Sequence, residues 1–88
     1  MRGASAKQEN VWRVLKAAVA EAGGVSDVFV YRERIMKRAA IPDVEAFWEM
    51  ADYLAQRGYI TKGSPDYWAF AVTSRGILEA ARQRQSTL

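Results

Sequence analysis

Glycine and proline interrupt the helical pattern of this chain at three points, and these breaks limit what it can fold into. Gly23 and Gly24 end the first apolar pattern, Pro42 ends the second and Gly58 ends the third. Glycine tolerates the left-handed conformation that commonly closes a helix, and the residue before a proline avoids helical angles. Since the chain has only 88 residues, its short segments must share one small core.

The first segment has the spacing of an amphipathic helix over residues 5–22. Apolar residues recur there at steps of three and four, which places them on one side of a helix. They are Val11, Trp12, Leu15, Val19 and Ala22. The domain is expected to span residues 1–88, with frayed ends at 1–5 and 84–88.

The second segment has two interpretations at its start. Residues 28–31, "VFVY", are rich in strand formers, whereas residues 32–40 contain good helix formers. We favour one helix that is capped by Ser26 or Asp27 and ends before Pro42. Its inward stripe would then consist of Val28, Tyr31, Ile35 and Ala39.

A third helix is predicted over residues 43–57, with Asp43 in its first turn, where a carboxylate favours the positive end of the helix dipole. Residues 59–62 and 67–73 then alternate like two strands joined by a turn, "GSPD" at 63–66. The inward residues of the third helix would be Val44, Phe47, Ala51 and Leu54, and those of the strands Ile60, Trp68, Phe70 and Val72.

A last helix follows the strands. Thr73 or Ser74 can cap it, because a hydroxyl oxygen accepts a hydrogen bond from a free amide of the first turn. Its apolar residues are Ile77, Leu78 and Ala81. This stripe and that of the first helix can pack in the domain's own core or against a second copy of the chain.

Composition excludes much of enzyme chemistry. The chain has neither cysteine nor histidine, so disulfides, zinc sites with thiolate or imidazole ligands, and imidazole bases are excluded. Its carboxylates are scattered among arginines, which is typical of a solvated surface. We expect no enzyme, no metal site and no cofactor. No apolar run approaches the roughly 20 residues that span a bilayer, and no hydrophobic leader is seen, so we expect a cytoplasmic protein without a membrane segment.

The order helix, link, helix, proline-marked turn, helix, hairpin, helix resembles the winged-helix family of helix-turn-helix domains. The similarity covers nearly the whole chain and rests on "YLAQRGYI" at 53–60 and "VTSRGILEA" at 72–80. It implies an α+β fold with a three-helix core, a β-hairpin wing and a final helix. It also implies DNA binding and transcription regulation, with the third helix in the major groove, the second across the phosphates and the wing tip at 62–67. A homodimer through the terminal helices is a further implication.

Charge is distributed unevenly along the chain. Residues 43–57 hold four acidic residues and one basic residue, a net charge of −3, so a total of +3 leaves +6 on the other residues. The residues expected to contact phosphates of double-stranded DNA are Arg32, Arg34, Lys37, Arg38 and Lys62. For segment 32–38, a solvated helix face is the competing interpretation.

The acidic third helix departs from the family's pattern, because base-reading side chains are absent from it before Gln56 and Arg57. A row of carboxylates repels phosphates, so a solvated face, a docking face for a basic protein and groove insertion all remain open. The docking face would consist of Glu45, Trp48, Glu49, Asp52 and Gln56. Trp48 and Trp68 are either partly covered core residues or exposed anchors.

The sequence thus predicts a small nucleic-acid-binding or regulatory domain that contacts DNA phosphates through its second helix, wing and basic termini. The alternative is a protein-interaction module that docks through the acidic third helix. A folded surface with no ligand is the third interpretation.

Overall fold

The computed structural model describes the backbone of residues 2–63 and 68–86 and the side chains of residues 9–63 and 68–83. Within these residues, four helices and three strands form a small α+β domain, which confirms that part of the predicted fold. The elements are α1 Arg2–Glu21, β1 Phe29–Tyr31, α2 Arg32–Ala39, α3 Val44–Gln56, β2 Ile60–Lys62, β3 Ala69–Val72 and α4 Ser74–Ser86. The strands form one antiparallel sheet in the order β1-β3-β2.

Strand β1 occupies most of the segment 28–31, so the favoured helix was wrong there and the competing strand interpretation is correct. Phe29 lies opposite Ala71 of β3, and Tyr31 lies opposite Ala69. Beyond the strand, the Arg32 N–H donates to the Trp68 carbonyl at 2.7 Å. The helix therefore begins only at Arg32, and neither Ser26 nor Asp27 caps it; Tyr31 precedes it without a side-chain cap.

The inward stripe predicted for that segment is half correct. Ile35 and Ala39 are buried, as expected, but Val28 and Tyr31 are exposed. Side chains of a strand alternate with period two. Helical spacing applied to residues 28–31 therefore selects the wrong residues as inward-facing. Only the part of the stripe that lies in α2 reaches the core.

Predicted helix ends are found close to their expected positions. Gly23 and Gly24 have φ of 68° and 77°, and Gly58 has φ of 80°, all in the left-handed region. Helix α2 ends at Ala39, before Pro42, and Ala40 takes left-handed angles there. Arg13 of α1 donates to the Ala39 carbonyl, which places a positive charge at the negative end of the α2 dipole.

The core is formed where α1, α2, α3 and the inner face of the sheet meet. Its largest fully buried side chains are Phe47, Phe70, Leu15, Ile35, Leu54, Val14 and Val72. The rings of Phe47 and Phe70 meet edge to face, with centroids 5.5 Å apart. Apolar residues of α1 and α4 also contribute to this core: Val11 and Leu15 are buried in it, and Val19 and Ile77 pack against it.

Val44 and Leu78, which were predicted to face inward, are exposed instead, and Trp68, for which a partly covered and an exposed position were both open, is exposed. Val44 is the first residue of α3 and Trp68 precedes β3, so both lie at the end of their element, outside the packed region. In α4, Ala80 and Gly76 are buried while Leu78 is 68% exposed. The small residues let α4 approach its neighbours closely, which turns Leu78 to solvent.

Thr73 connects β3 to α4. Its Oγ1 accepts from the Gly76 N–H at 3.0 Å and donates to the Gly58 carbonyl at 2.7 Å. The predicted cap by Thr73 is thus confirmed. Most of the turn at 63–66, the wing tip at 62–67 and the side chains of the ends at 1–5 and 84–88 lie outside the described residues, so those expectations stay predictions.

Replacing Gly76 by alanine tests the packing of α4. At an ordinary helix position this change stabilises a protein by about 1 kcal/mol. At Gly76 a Cβ would lie 2.1 Å from the Tyr59 carbonyl oxygen, so we expect destabilisation by about 1–3 kcal/mol, measured by urea unfolding. The control is Leu78→Ala in the same helix, which should change stability by less than about 0.5 kcal/mol. A stabilised Gly76→Ala variant would contradict this close approach.

Candidate nucleic-acid and protein interaction surfaces

The outward side of α2 carries three neighbouring cations. Arg34 and Arg38 are one helical turn apart and Lys37 lies beside them, so the structure brings these three predicted phosphate-binding residues together. With Glu21 they line a shallow depression. The side chains of Arg34 and Arg38 are 69% and 52% exposed. We call these four residues the α2 basic site.

Glu21, the last residue of α1, organises this site. Its Oε1 accepts from Arg34 Nε at 2.9 Å and its Oε2 accepts from Arg38 Nε at 2.7 Å. The Glu21 side chain is only 9% exposed. Hydrogen bonds from Arg34 and Arg38 hold the pKa of Glu21 below its ordinary value, with their charges adding to the effect and burial opposing it. The carboxylate therefore stays ionised at neutral pH.

The sequence analysis did not identify Glu21. It is a single acidic residue before two glycines, and its spacing along the chain relates it to no other charge. Its contacts arise because α1 packs against α2, which brings residues 13 and 17 positions apart into hydrogen-bonding distance. Nothing in the local pattern of either segment indicates that contact.

Arg32 and Lys62, the other two residues predicted to bind phosphate, have separate partners. The Arg32 guanidinium lies 4.5 Å from the centre of the Trp68 ring, a cation–π contact. The Lys62 ammonium forms an ion pair with the carboxylate of Asp52. Lys62 therefore ties β2 to α3 in this structure, and Arg32 packs on Trp68 rather than joining the α2 basic site.

The predicted docking residues of α3 have different environments. Glu45, Glu49 and Gln56 are exposed, and among the described residues neither glutamate forms an ion pair. Asp52 pairs with Lys62. Trp48 is partly buried, with its ring centroid 5.5 Å from that of Phe70, which makes it a partly covered core residue rather than an exposed anchor.

A further surface was not anticipated from the sequence. Val25, Val28, Phe29 and Tyr31 are all exposed, and they lie on β1 or just before it. Among the described strands β1 pairs with β3 alone, so it is an edge of the sheet. The sequence analysis missed this apolar surface because it predicted a helix at 28–31 with Val28 and Tyr31 in the core.

Replacing Glu21 by glutamine should make the folding stability less dependent on pH in the acidic range. A carboxyl whose pKa is lowered on folding stabilises the protein above its ordinary pKa, and that stabilisation is lost as pH falls through the lower folded-state value. We expect Glu21→Gln to melt below the parent protein near pH 7 and the two melting temperatures to converge at acidic pH. Thermal melting by circular dichroism over that range measures this, with Glu9→Gln as the exposed control. A constant difference at every pH would contradict it.

Other site types were sought in the described part of the chain. It contains no group of three or more acidic side chains placed to hold a metal ion. None of its helices combines the length and apolar character needed to cross a membrane. Comparison with protein-family models, curated proteins and solved structures finds no match to this chain.

Proposed function

We propose that the chain is a small winged-helix protein that binds double-stranded DNA through its phosphate backbone, as a regulatory or architectural component without a catalytic step. The observation that carries the proposal is the α2 basic site, where Arg34, Lys37 and Arg38 are exposed side by side. The element order and the sheet order β1-β3-β2 support the winged-helix assignment. In that family the second helix lies against the phosphate backbone.

Charge favours a polyanion as the ligand of α2. The α2 basic site carries three positive charges and one negative, and the arginine tips reach solvent. Each neutralised phosphate releases condensed counterions, which is the main source of sequence-independent affinity for DNA. A patch of this kind positions a protein on a duplex without reading its sequence.

Helix α3 contributes little base reading in this proposal. Its exposed Glu45 and Glu49 lie where a winged helix usually presents groups that bind the edges of bases, and carboxylates repel the phosphates on either side of the groove. Weak, salt-sensitive binding with little preference among sequences follows from this arrangement.

Changing Arg34, Lys37 and Arg38 together to glutamine tests the proposed contact. We expect weaker binding by a similar factor on two unrelated duplexes. The slope of log K against log salt should become shallower by about 2–3, because each lost phosphate contact removes about 0.9. Fluorescence anisotropy of labelled duplexes at several salt concentrations measures both effects.

The matched control removes three cations elsewhere, by Lys16→Gln, Arg57→Gln and Arg75→Gln. It changes net charge equally but leaves α2 intact, so its salt slope should stay close to that of the parent protein. If both triple variants lose slope equally, binding depends on total charge and the assignment to α2 is wrong.

A second candidate function is docking of a basic protein on α3. Two observations favour it: Glu45 and Glu49 are exposed without an ion pair among the described residues, and the exposed apolar side chains of Val44 and Tyr53 lie on the same helix. Carboxylates around apolar groups steer and orient a basic partner. Asp52 takes no part, because it is engaged by Lys62.

The double change Glu45→Gln and Glu49→Gln separates the two candidates. If α3 docks a basic protein, the variant should lose salt-sensitive capture of that protein from a cell extract, and duplex affinity should not fall. The control, Glu9→Gln with Asp27→Asn, removes two exposed carboxylates elsewhere and should retain capture. Equal capture by the Glu45/Glu49 variant and the parent would exclude the docking face.

A further inference from the structure

We propose that the α2 basic site is a preformed receptor for one phosphate group, in which Glu21 is a positioning residue that holds Arg34 and Arg38. The phosphate would be a phosphodiester of the nucleic-acid backbone, so this inference rests on the proposed function. It adds a role for an acidic residue that charge alone would count against DNA binding.

The hydrogen-bond geometry supplies the first argument. Glu21 uses a different carboxylate oxygen for each arginine, and in both cases the donor is Nε. A guanidinium has five N–H donors in a planar fork, so each arginine keeps its four terminal N–H groups. None of those terminal groups is bonded to another described residue. The two guanidinium groups are thus each held through Nε, and their terminal N–H groups stay available to an oxyanion.

Exposure supplies the second argument. The carboxylate is 9% exposed, while the arginine side chains that it holds are 69% and 52% exposed. Glu21 is therefore much less accessible to solvent than the two guanidinium groups that it bonds. The groups most accessible to a phosphate in the depression are therefore the guanidinium groups and exposed Lys37, and the carboxylate is the least accessible.

Two opposing effects of Glu21 can be compared in magnitude. Its negative charge reduces attraction for a phosphate, but the phosphate would bind at the exposed guanidinium groups, where salt screens charges and one charge changes affinity by about twofold to fivefold. Its hydrogen bonds hold two long side chains that would otherwise lose rotamer freedom on binding, and that ordering is worth about tenfold for two arginines. The positioning effect is therefore the larger at physiological salt.

The decisive variant is Glu21→Gln, because the two effects predict opposite signs. The variant is more positive than the parent, so simple attraction predicts tighter duplex binding. The proposal predicts binding about twofold to fivefold weaker at about 0.15 M salt, since the loss of positioning exceeds the gain in attraction. Glu9→Gln, which removes an exposed carboxylate elsewhere on α1, should bind as well as the parent or slightly better.

A second variant keeps the positive charge of the α2 basic site but removes its planar guanidinium groups. Arg34→Lys with Arg38→Lys preserves three cations, but an ammonium lacks the planar fork that bonds a carboxylate at one edge and a phosphate at the other. We expect duplex binding weaker by about tenfold in this variant. Circular dichroism confirms the fold of each variant. If Glu21→Gln fails to fold, the lysine variant still tests the receptor, because unchanged binding by that variant shows that the arginine forks are not needed.

Titration with inorganic phosphate tests the receptor without DNA. The Nε–H signals of Arg34 and Arg38 in proton–nitrogen NMR spectra should shift as phosphate is added to the parent protein. The shifts should be much smaller in the Glu21→Gln variant at equal phosphate concentration, and equal shifts in the two proteins would overturn the positioning role.

The outcomes separate this inference from the proposed function. Suppose that the parent binds the duplex. If Glu21→Gln then binds it equally or more tightly, or if the lysine variant binds it as tightly as the parent, the receptor is overturned and DNA binding remains. Phosphate shifts that depend on Glu21, without any duplex binding, overturn the proposed function and identify free phosphate as the ligand. An absence of both duplex binding and phosphate shifts overturns both proposals.

Discussion

Strand β3 is hydrogen-bonded along both of its edges, and the positions of its neighbours follow from that pairing. It holds β1 on one side and β2 on the other. The residues that flank β3 hydrogen-bond to the first turns of two helices. The Trp68 carbonyl accepts from the first N–H of α2, and Thr73 caps α4. Phe70 of β3 packs on Phe47 and Trp48 of α3. The direction in which α2 leaves the sheet, and hence the place where its arginines meet α1, depends on the β1–β3 register.

Short-range sequence patterns correctly predicted helix ends, one helix cap and several core residues. Glycine at 24 and 58 ended helices, Thr73 capped one, and apolar spacing identified Phe47, Leu54 and Phe70 as core residues. Contacts between distant segments were missed. Residues 28–31 are rich in strand formers, but β1 forms because Phe29 pairs with Ala71, far along the chain, and nothing within 28–31 indicates that partner. The Glu21 contacts and the ion pair of Lys62 with Asp52 depend on packing in the same way.

The acidity of the third helix resolves into separate roles once contacts are known. Asp43 caps the helix by accepting from the Glu45 N–H, and Asp52 neutralises Lys62. Glu45 and Glu49 present charge to solvent without an ion pair among the described residues, and exposed Asp43 lies at the positive end of the helix dipole. A net charge counted along the sequence therefore overstates the negative field of this helix. The same count understates Glu21, which is one charge in the total but contacts two arginines.

The three tryptophans have three different surroundings, and this distribution gives the protein built-in optical reporters. Trp12 lies against Tyr59, with ring centroids 6.0 Å apart, Trp48 lies among the core aromatics, and Trp68 is exposed beneath Arg32. An anionic quencher in solution reaches Trp68 first and the partly covered rings of Trp12 and Trp48 less readily. Emission that remains after quenching therefore reports the packed part of the domain, while the quenched component reports the end of the sheet that leads into α2.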